Sequence, residues 1–212
     1  MLRPIIIAQD NIMLIFNISN MGLISLIAGG IHDANKAIKQ NNAKKDDTVQ
    51  TIVVKNKFSI DVPSFLSPTD RFGEDVTIQY WNKTLDVALQ VIDEPKQEFI
   101  ESLNELRKEI PDFGKDNSML DNMAVMVLTN IFEDIDKIEI NDRYETKING
   151  LNALTLNAFQ KRTFFKDAVF GSFAFIEGKN TLYQIIIISG GTSITKLAEK
   201  LDKSIKSFKE LQ

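Results

Sequence analysis

The stretch from Ala168 to Phe208 constrains the fold more than any other part of this sequence. Val169 to Ile176 predicts a Phe-rich strand, Glu177-Gly178-Lys179-Asn180 a tight turn, and Thr181 to Ser189 a second strand. Gly190-Gly191 breaks the pattern, and Ser193 to Leu211 predicts an amphipathic helix. Four consecutive isoleucines, Ile185 to Ile188, make the second strand apolar on both faces. Such a strand belongs in the middle of a sheet covered on both sides. In the helix, Ile194, Leu197, Leu201, Ile205 and Phe208 form one stripe, while Lys196, Lys200 and Lys203 face water.

Upstream elements extend the same pattern. Thr51 to Lys55 and Lys57 to Val62 predict strands, closed by Pro63 and Pro68. Val76 to Trp81 and Thr84 to Ile92 predict a pair joined at Asn82-Lys83. After Asp93-Glu94-Pro95 the period changes: Phe99, Leu103 and Leu106 recur at helical spacing. Ser118 caps a second helix, with Asp121 three residues on. Lys137 to Ile148 predicts a strand with Ile138, Ile140 and Tyr144 on its apolar side, and Asn149-Gly150 turns it into Leu151 to Gln160. Short turns between consecutive strands make the sheet mostly antiparallel. The expectation is an α+β three-layer sandwich, a mostly antiparallel central sheet with helices on both faces, behind an apolar N-terminal helix. The division expected is 1–31 apolar segment, 32–50 polar linker and 51–212 α+β domain.

The N-terminal segment leaves the compartment open. From Asn11 to Ile31 no residue is charged, and the apolar run from Ile12 to Ile31 matches the ~20 residues needed to span a bilayer. Asn17, Ser19, Asn20 and Ser25 interrupt it. An anchor, a cleaved signal ending near Ala28-Gly29-Gly30, a buried helix of the fold, and a start at Met21 are the alternatives. The first two make the protein membrane-associated or exported; the last two leave it cytoplasmic.

Composition narrows the chemistry. The chain of 212 residues has 43% hydrophobic and 25% charged residues, enough to bury a core and too few charges for wholesale disorder. The net charge is −4 with basic and acidic residues interspersed, so nucleic acid is not an expected partner. There is no cysteine, which removes disulfides and thiolate chemistry. His32 is the sole histidine and lies beside the apolar segment, so no Ser-His-Asp triad fits inside the domain. Asp93-Glu94 offers paired carboxylates, but acidic residues at a helix start explain it better. Asp134, Asp136, Glu139 and Asp142 lack the spacing of a calcium loop. Gly190-Gly191-Thr192-Ser193 lacks the sequel of a phosphate loop. No metal and no cofactor is expected.

The aromatic residues are the remaining candidates. Tyr80 and Trp81 near a strand end serve either as core plugs or as anchors for a protein partner. Phe164 and Phe165, after Lys161-Arg162, form either a strand corner or an exposed aromatic edge. Met119, Met123 and Met126 read as packing.

Three local motifs carry a family resemblance. Phe58-Ser59-Ile60-Asp61-Val62-Pro63 resembles an opening strand ending in proline. Asn149-Gly150-Leu151-Asn152-Ala153 resembles a mid-chain turn into a long strand, and Ile205-Lys206-Ser207-Phe208 the close of a last helix. On these, Thr51 to Leu211 resembles the PsbP-like family, whose fold is shared by a Ran-binding nuclear-transport factor. The resemblance implies an antiparallel sheet between helices and a binding role without catalysis. The expected function is therefore a non-catalytic binding or accessory domain contacting an unknown protein partner at or near a membrane. The alternative is a small-molecule carrier or hydrolase with a pocket between sheet and helices.

Overall fold

The structure, a computed structural model, describes residues 43, 47–132, 137–160, 168–190 and 193–211. The run from Ile12 to Ile31, His32, Asp134, Asp136, Phe164 and Phe165 lie outside the described residues.

In chain order the elements are β1 (Val49–Val54), β2 (Phe58–Pro63), β3 (Ser67–Pro68), β4 (Ile78–Asn82), β5 (Val87–Pro95), α1 (Lys96–Glu109) and α2 (Met119–Ile131). They continue with β6 (Ile138–Ile148), β7 (Leu151–Gln160), β8 (Val169–Glu177), β9 (Thr181–Gly190), α3 (Ser193–Ser207) and β10 (Lys209–Glu210). Seven strands form one sheet in the order β3-β4-β5-β9-β8-β7-β6, and every neighbouring pair is antiparallel. β9, which carries the four isoleucines, occupies the middle of this sheet.

Alternation along β9 divides the interior in two. Ile185 and Ile187 face a core shared with Leu197, Leu201 and Ile205 of α3 and Phe58, Ile60 and Val62 of β2. Ile186 faces the other way, toward Phe99 and Leu103 of α1 and Met123, Ala124 and Leu128 of α2. The sheet is thus the middle of three layers, as the sequence leads one to expect. One outer layer differs from expectation. α3 shares it with a separate three-stranded sheet, β1-β2-β10.

The final helix stops earlier than Leu211. Its chain turns at Ser207 so that Phe208 enters the core, where its ring lies 5.3 Å from Phe58 and 4.8 Å from Tyr183. β10 then pairs with β2, and the Leu211 amide donates to the Lys57 carbonyl at 2.8 Å. Burying an aromatic ring outweighs one further helical turn. The strand predicted over Thr84 to Ile92 also shifts: β5 starts at Val87 and runs through Pro95, because Asp93, Glu94 and Pro95 pair with Tyr183, Leu182 and Thr181 of β9.

Two local signals hold as read. Ser118 accepts a hydrogen bond from the Asp121 amide at 3.1 Å and donates to its carboxylate at 2.8 Å, capping α2. Asn149 and Gly150 take φ of 48° and 90° between β6 and β7, the paired positive values of a tight hairpin turn. Among the described residues no helix is long and apolar enough to cross a membrane.

Candidate functional site

An irregularity in β6 shapes one wall of a cleft on the described surface. Asn141 pairs with Asn157 and Tyr144 with Thr155, so two residues of β6 stand against Leu156 alone. This is a β-bulge, and Asp142 within it has φ of 52°. The extra residue reverses the facing of the strand. Ile138 and Ile140 pack on the α1/α2 side. Tyr144 emerges on the α3 side, 59% exposed. The sequence reading of one continuous apolar face for Ile138, Ile140 and Tyr144 is corrected accordingly.

On that α3 side the outer strands and the helix diverge, leaving a cleft of about 520 Å³. Tyr144, Thr155, Asn157, Phe159, Phe170 and Ser172 line it from the sheet, and Ala198, Leu201 and Ile205 from α3. Phe159 and Phe170 lie directly opposite in register and stack with ring centroids 4.4 Å apart. Both are partly buried, so each presents apolar surface to the opening. Asp142 accepts hydrogen bonds from Asn157 at 3.2 Å and from the Tyr144 hydroxyl at 3.4 Å. The helix wall adds two carboxylates: Glu199 pairs with Lys203 at 3.1 Å and Asp202 with Lys206 at 2.6 Å. The cleft is therefore an apolar aromatic floor with a polar rim whose charges are engaged by neighbours.

The residues singled out in the sequence lie elsewhere. Tyr80 is buried in the α3-side core opposite Leu89, and burial raises its phenol pKa. Trp81, on the other face of β4, is partly buried against Phe72, Val76 and Ala88. The Arg71 guanidinium stands 4.5 Å over its ring. Neither reaches the cleft. Asp93 and Glu94 are neighbours on a strand and so point to opposite faces. Burial opposes the charge on Asp93, but hydrogen bonds from Lys57 and Thr77 outweigh it and lower its pKa. Glu94 is raised by burial and then by the Glu98 charge. Among the described residues no cluster of three or more His, Asp or Glu is placed to hold a metal ion.

Tyr144, Phe159 and Phe170 are the cleft residues that the sequence reading passed over. The available signal was Asn141-Asp142 inside a strand pattern, two residues that tolerate positive φ and so mark a bulge.

No family model matches the sequence, and comparison with curated proteins finds no match. Among solved structures, the chain is similar to cyanobacterial PsbP from Synechocystis, with 9% identity and a TM-score of 0.46 over 77% of this chain and 93% of that one. It is similar to a protein of unknown function from Pseudomonas aeruginosa, with 11% identity and a TM-score of 0.41 over 75% of this chain and 94% of that one. It is also similar to the Ran-binding protein Mog1p of Saccharomyces cerevisiae, with 11% identity and a TM-score of 0.46 over 76% of this chain and 95% of that one. The PsbP-like family and the Ran-binding factor named with it from the sequence motifs are thus both represented among the similar structures.

Proposed function

We propose that this chain is a non-catalytic binding domain whose working surface is the cleft between β6–β8 and α3, and that the cleft takes an apolar segment of a protein partner. The observation that carries the reading is that the Phe159/Phe170 stack and the exposed Tyr144 line the same cleft. Aromatic side chains at an opening, ringed by polar groups, are the usual anatomy of a binding hot spot. Binding is favoured over proton transfer because Asp142, Glu199 and Asp202 are each held by a hydrogen bond or ion pair. We further propose that the contact occurs near a membrane, brought there by the run from Ile12 to Ile31; its support is length and lack of charge.

The test is affinity capture from the native cell extract with wild-type chain and with Tyr144→Asp. Tyr144 is exposed, so the variant should keep its thermal melt. A protein retained by wild type and lost with Tyr144→Asp supports the reading; identical captured sets overturn it.

A small-molecule ligand is the second reading. It is favoured by a volume of about 520 Å³, inside the range of ~300–1,000 Å³ typical of ligand pockets. Titration with the neutral dye Nile red separates the two. Saturable binding lost with Phe170→Asp favours a ligand pocket; no binding leaves the protein-segment reading.

A further inference from the structure

The sheets of the described residues have four edges, and three of them carry the usual protections against strand pairing. β3 is two residues long and includes Pro68. β10 is two residues long and consists of Lys209 and Glu210. β6 carries Glu139, Asp142, Arg143, Glu145 and Lys147 and is interrupted by its bulge. Short length, proline, charge and bulges are how natural sheets blunt their edges.

β1 has none of these. It reads Val49-Gln50-Thr51-Ile52-Val53-Val54, six residues without charge, proline or glycine. Among the described residues it pairs with β2 on one side only. Val49 and Val53 on its outer face are 55% and 60% exposed, and Tyr144 is the one other large hydrophobic so exposed among the described residues. An uncharged, β-branched edge strand of this kind is a template for another strand.

We propose that β1 pairs antiparallel with β1 of a second copy of this chain, on a two-fold axis through Thr51. Residues directly opposite in an antiparallel pair share a face, so the register must join odd positions to odd ones. Centring on Thr51 sets Val49 against Val53 of the second copy and Gln50 against Ile52. The exposed valines then cover each other, and the partly buried Gln50 and Ile52 stay on the core side. No like charges meet within the pair. The charge next to the axis, Asp61 on β2, accepts a hydrogen bond from Thr51 at 2.6 Å. Its copy would lie three strand spacings away, about 14 Å, beyond the ~8 Å Debye length at physiological salt. The joined outer sheets would form one continuous six-stranded sheet. Strand pairing alone buries less than the ~1,200 Å² of a stable interface, so the association is concentration-dependent.

The absence of cysteine makes the register directly testable. In the full chain, Thr51→Cys places two thiols on the axis with Cα atoms ~4.5–5.5 Å apart, within disulfide reach of ~4.4–6.8 Å. Val53→Cys alone leaves its two thiols about 14 Å apart. Under mild oxidation Thr51→Cys should convert to covalent dimer and Val53→Cys should stay at least ten-fold behind. The double variant Val49→Cys/Val53→Cys, which keeps the Thr51 bond to Asp61, should cross-link again. Sedimentation of the wild type should show a dimer that Val53→Lys abolishes without changing the melt. A wild-type chain that stays monomeric, equal cross-linking of the single variants, or a dimer that survives Val53→Lys would each overturn the proposal.

Discussion

Phe159 of β7 and Phe170 of β8 face each other across the strand pair, their rings 4.4 Å apart at the centroids and inclined by 30°. The stack closes the floor of the cleft and ties β7 to β8 near the end of their pairing. Each single change to alanine should destabilise the domain by about 1.5–2.5 kcal/mol, half the cost of a fully buried Phe. The two changes together should fall short of additivity by about 0.5–1.5 kcal/mol, the worth of an aromatic pair. Urea unfolding of the four proteins in the cycle measures this. Strict additivity would show that the rings are not in contact.

Asn149 does more than turn the chain. Its side-chain amide donates to the carbonyls of Phe208 at 2.6 Å and Lys206 at 3.2 Å, groups that the end of α3 leaves without helical partners. Turn and cap are separable by substitution. Asn149→Gly keeps the positive φ and loses the cap, at a cost of about 1 kcal/mol. Asn149→Ala loses both and should cost about 2 kcal/mol. Equal melting temperatures for the two variants would contradict this division.

Arg143 reaches from the bulged strand to Asp121 in the first turn of α2, Nη2 to Oδ1 at 2.5 Å, with both side chains largely buried. Burial opposes the Asp121 charge, but hydrogen bonds from Arg143 and Ser118 and the Arg143 charge outweigh it, so its pKa is lowered. A carboxylate depressed in the folded state stabilises the fold above its unfolded pKa, and the contribution disappears as pH falls through the folded value. Asp121→Asn should therefore be less stable than wild type by about 2–3 kcal/mol near neutral pH. The gap should close below about pH 4. Melts across the acid range check the sign; a gap that widens on acidification would refute it.

Gln90 is fully buried in β5, and neither atom of its amide has a partner among the described residues. Its cross-strand neighbour Gln79 is committed to the loop before β4, where its carbonyl accepts from the Phe72 amide at 2.8 Å. An unsatisfied buried amide costs more than an apolar group of similar size. Gln90→Leu should stabilise the domain by about 1–2 kcal/mol. A lower melting temperature for that variant would show that the amide is bonded in solution.

The fold was legible where the signal was local. The Ser118 cap, the Asn149-Gly150 turn and the isoleucine run at the sheet centre depend on neighbours in sequence. The outer sheet was not, because β10 exists only through pairing with β2, whose residues lie about 150 positions away. The end of α3 was misplaced for the same reason: helical periodicity continues through Phe208, and only the rings of Phe58 and Tyr183 draw that residue out of the helix. The cleft was hidden by the bulge, since one extra residue moves Tyr144 to the opposite face from that which alternation assigns. Tyr80 and Trp81 stood out as rare aromatics, and the core or its margin holds them both.

The central claim is that the cleft is the surface the protein works through. The direct measurement is photo-cross-linking in living cells, with a benzophenone amino acid at Tyr144 and, as control, at the exposed Glu101 of α1. The expected result is a discrete adduct from position 144 that disappears when Phe170→Asp is added and never forms from position 101. The same adducts from both positions, or adducts indifferent to Phe170→Asp, would contradict the claim.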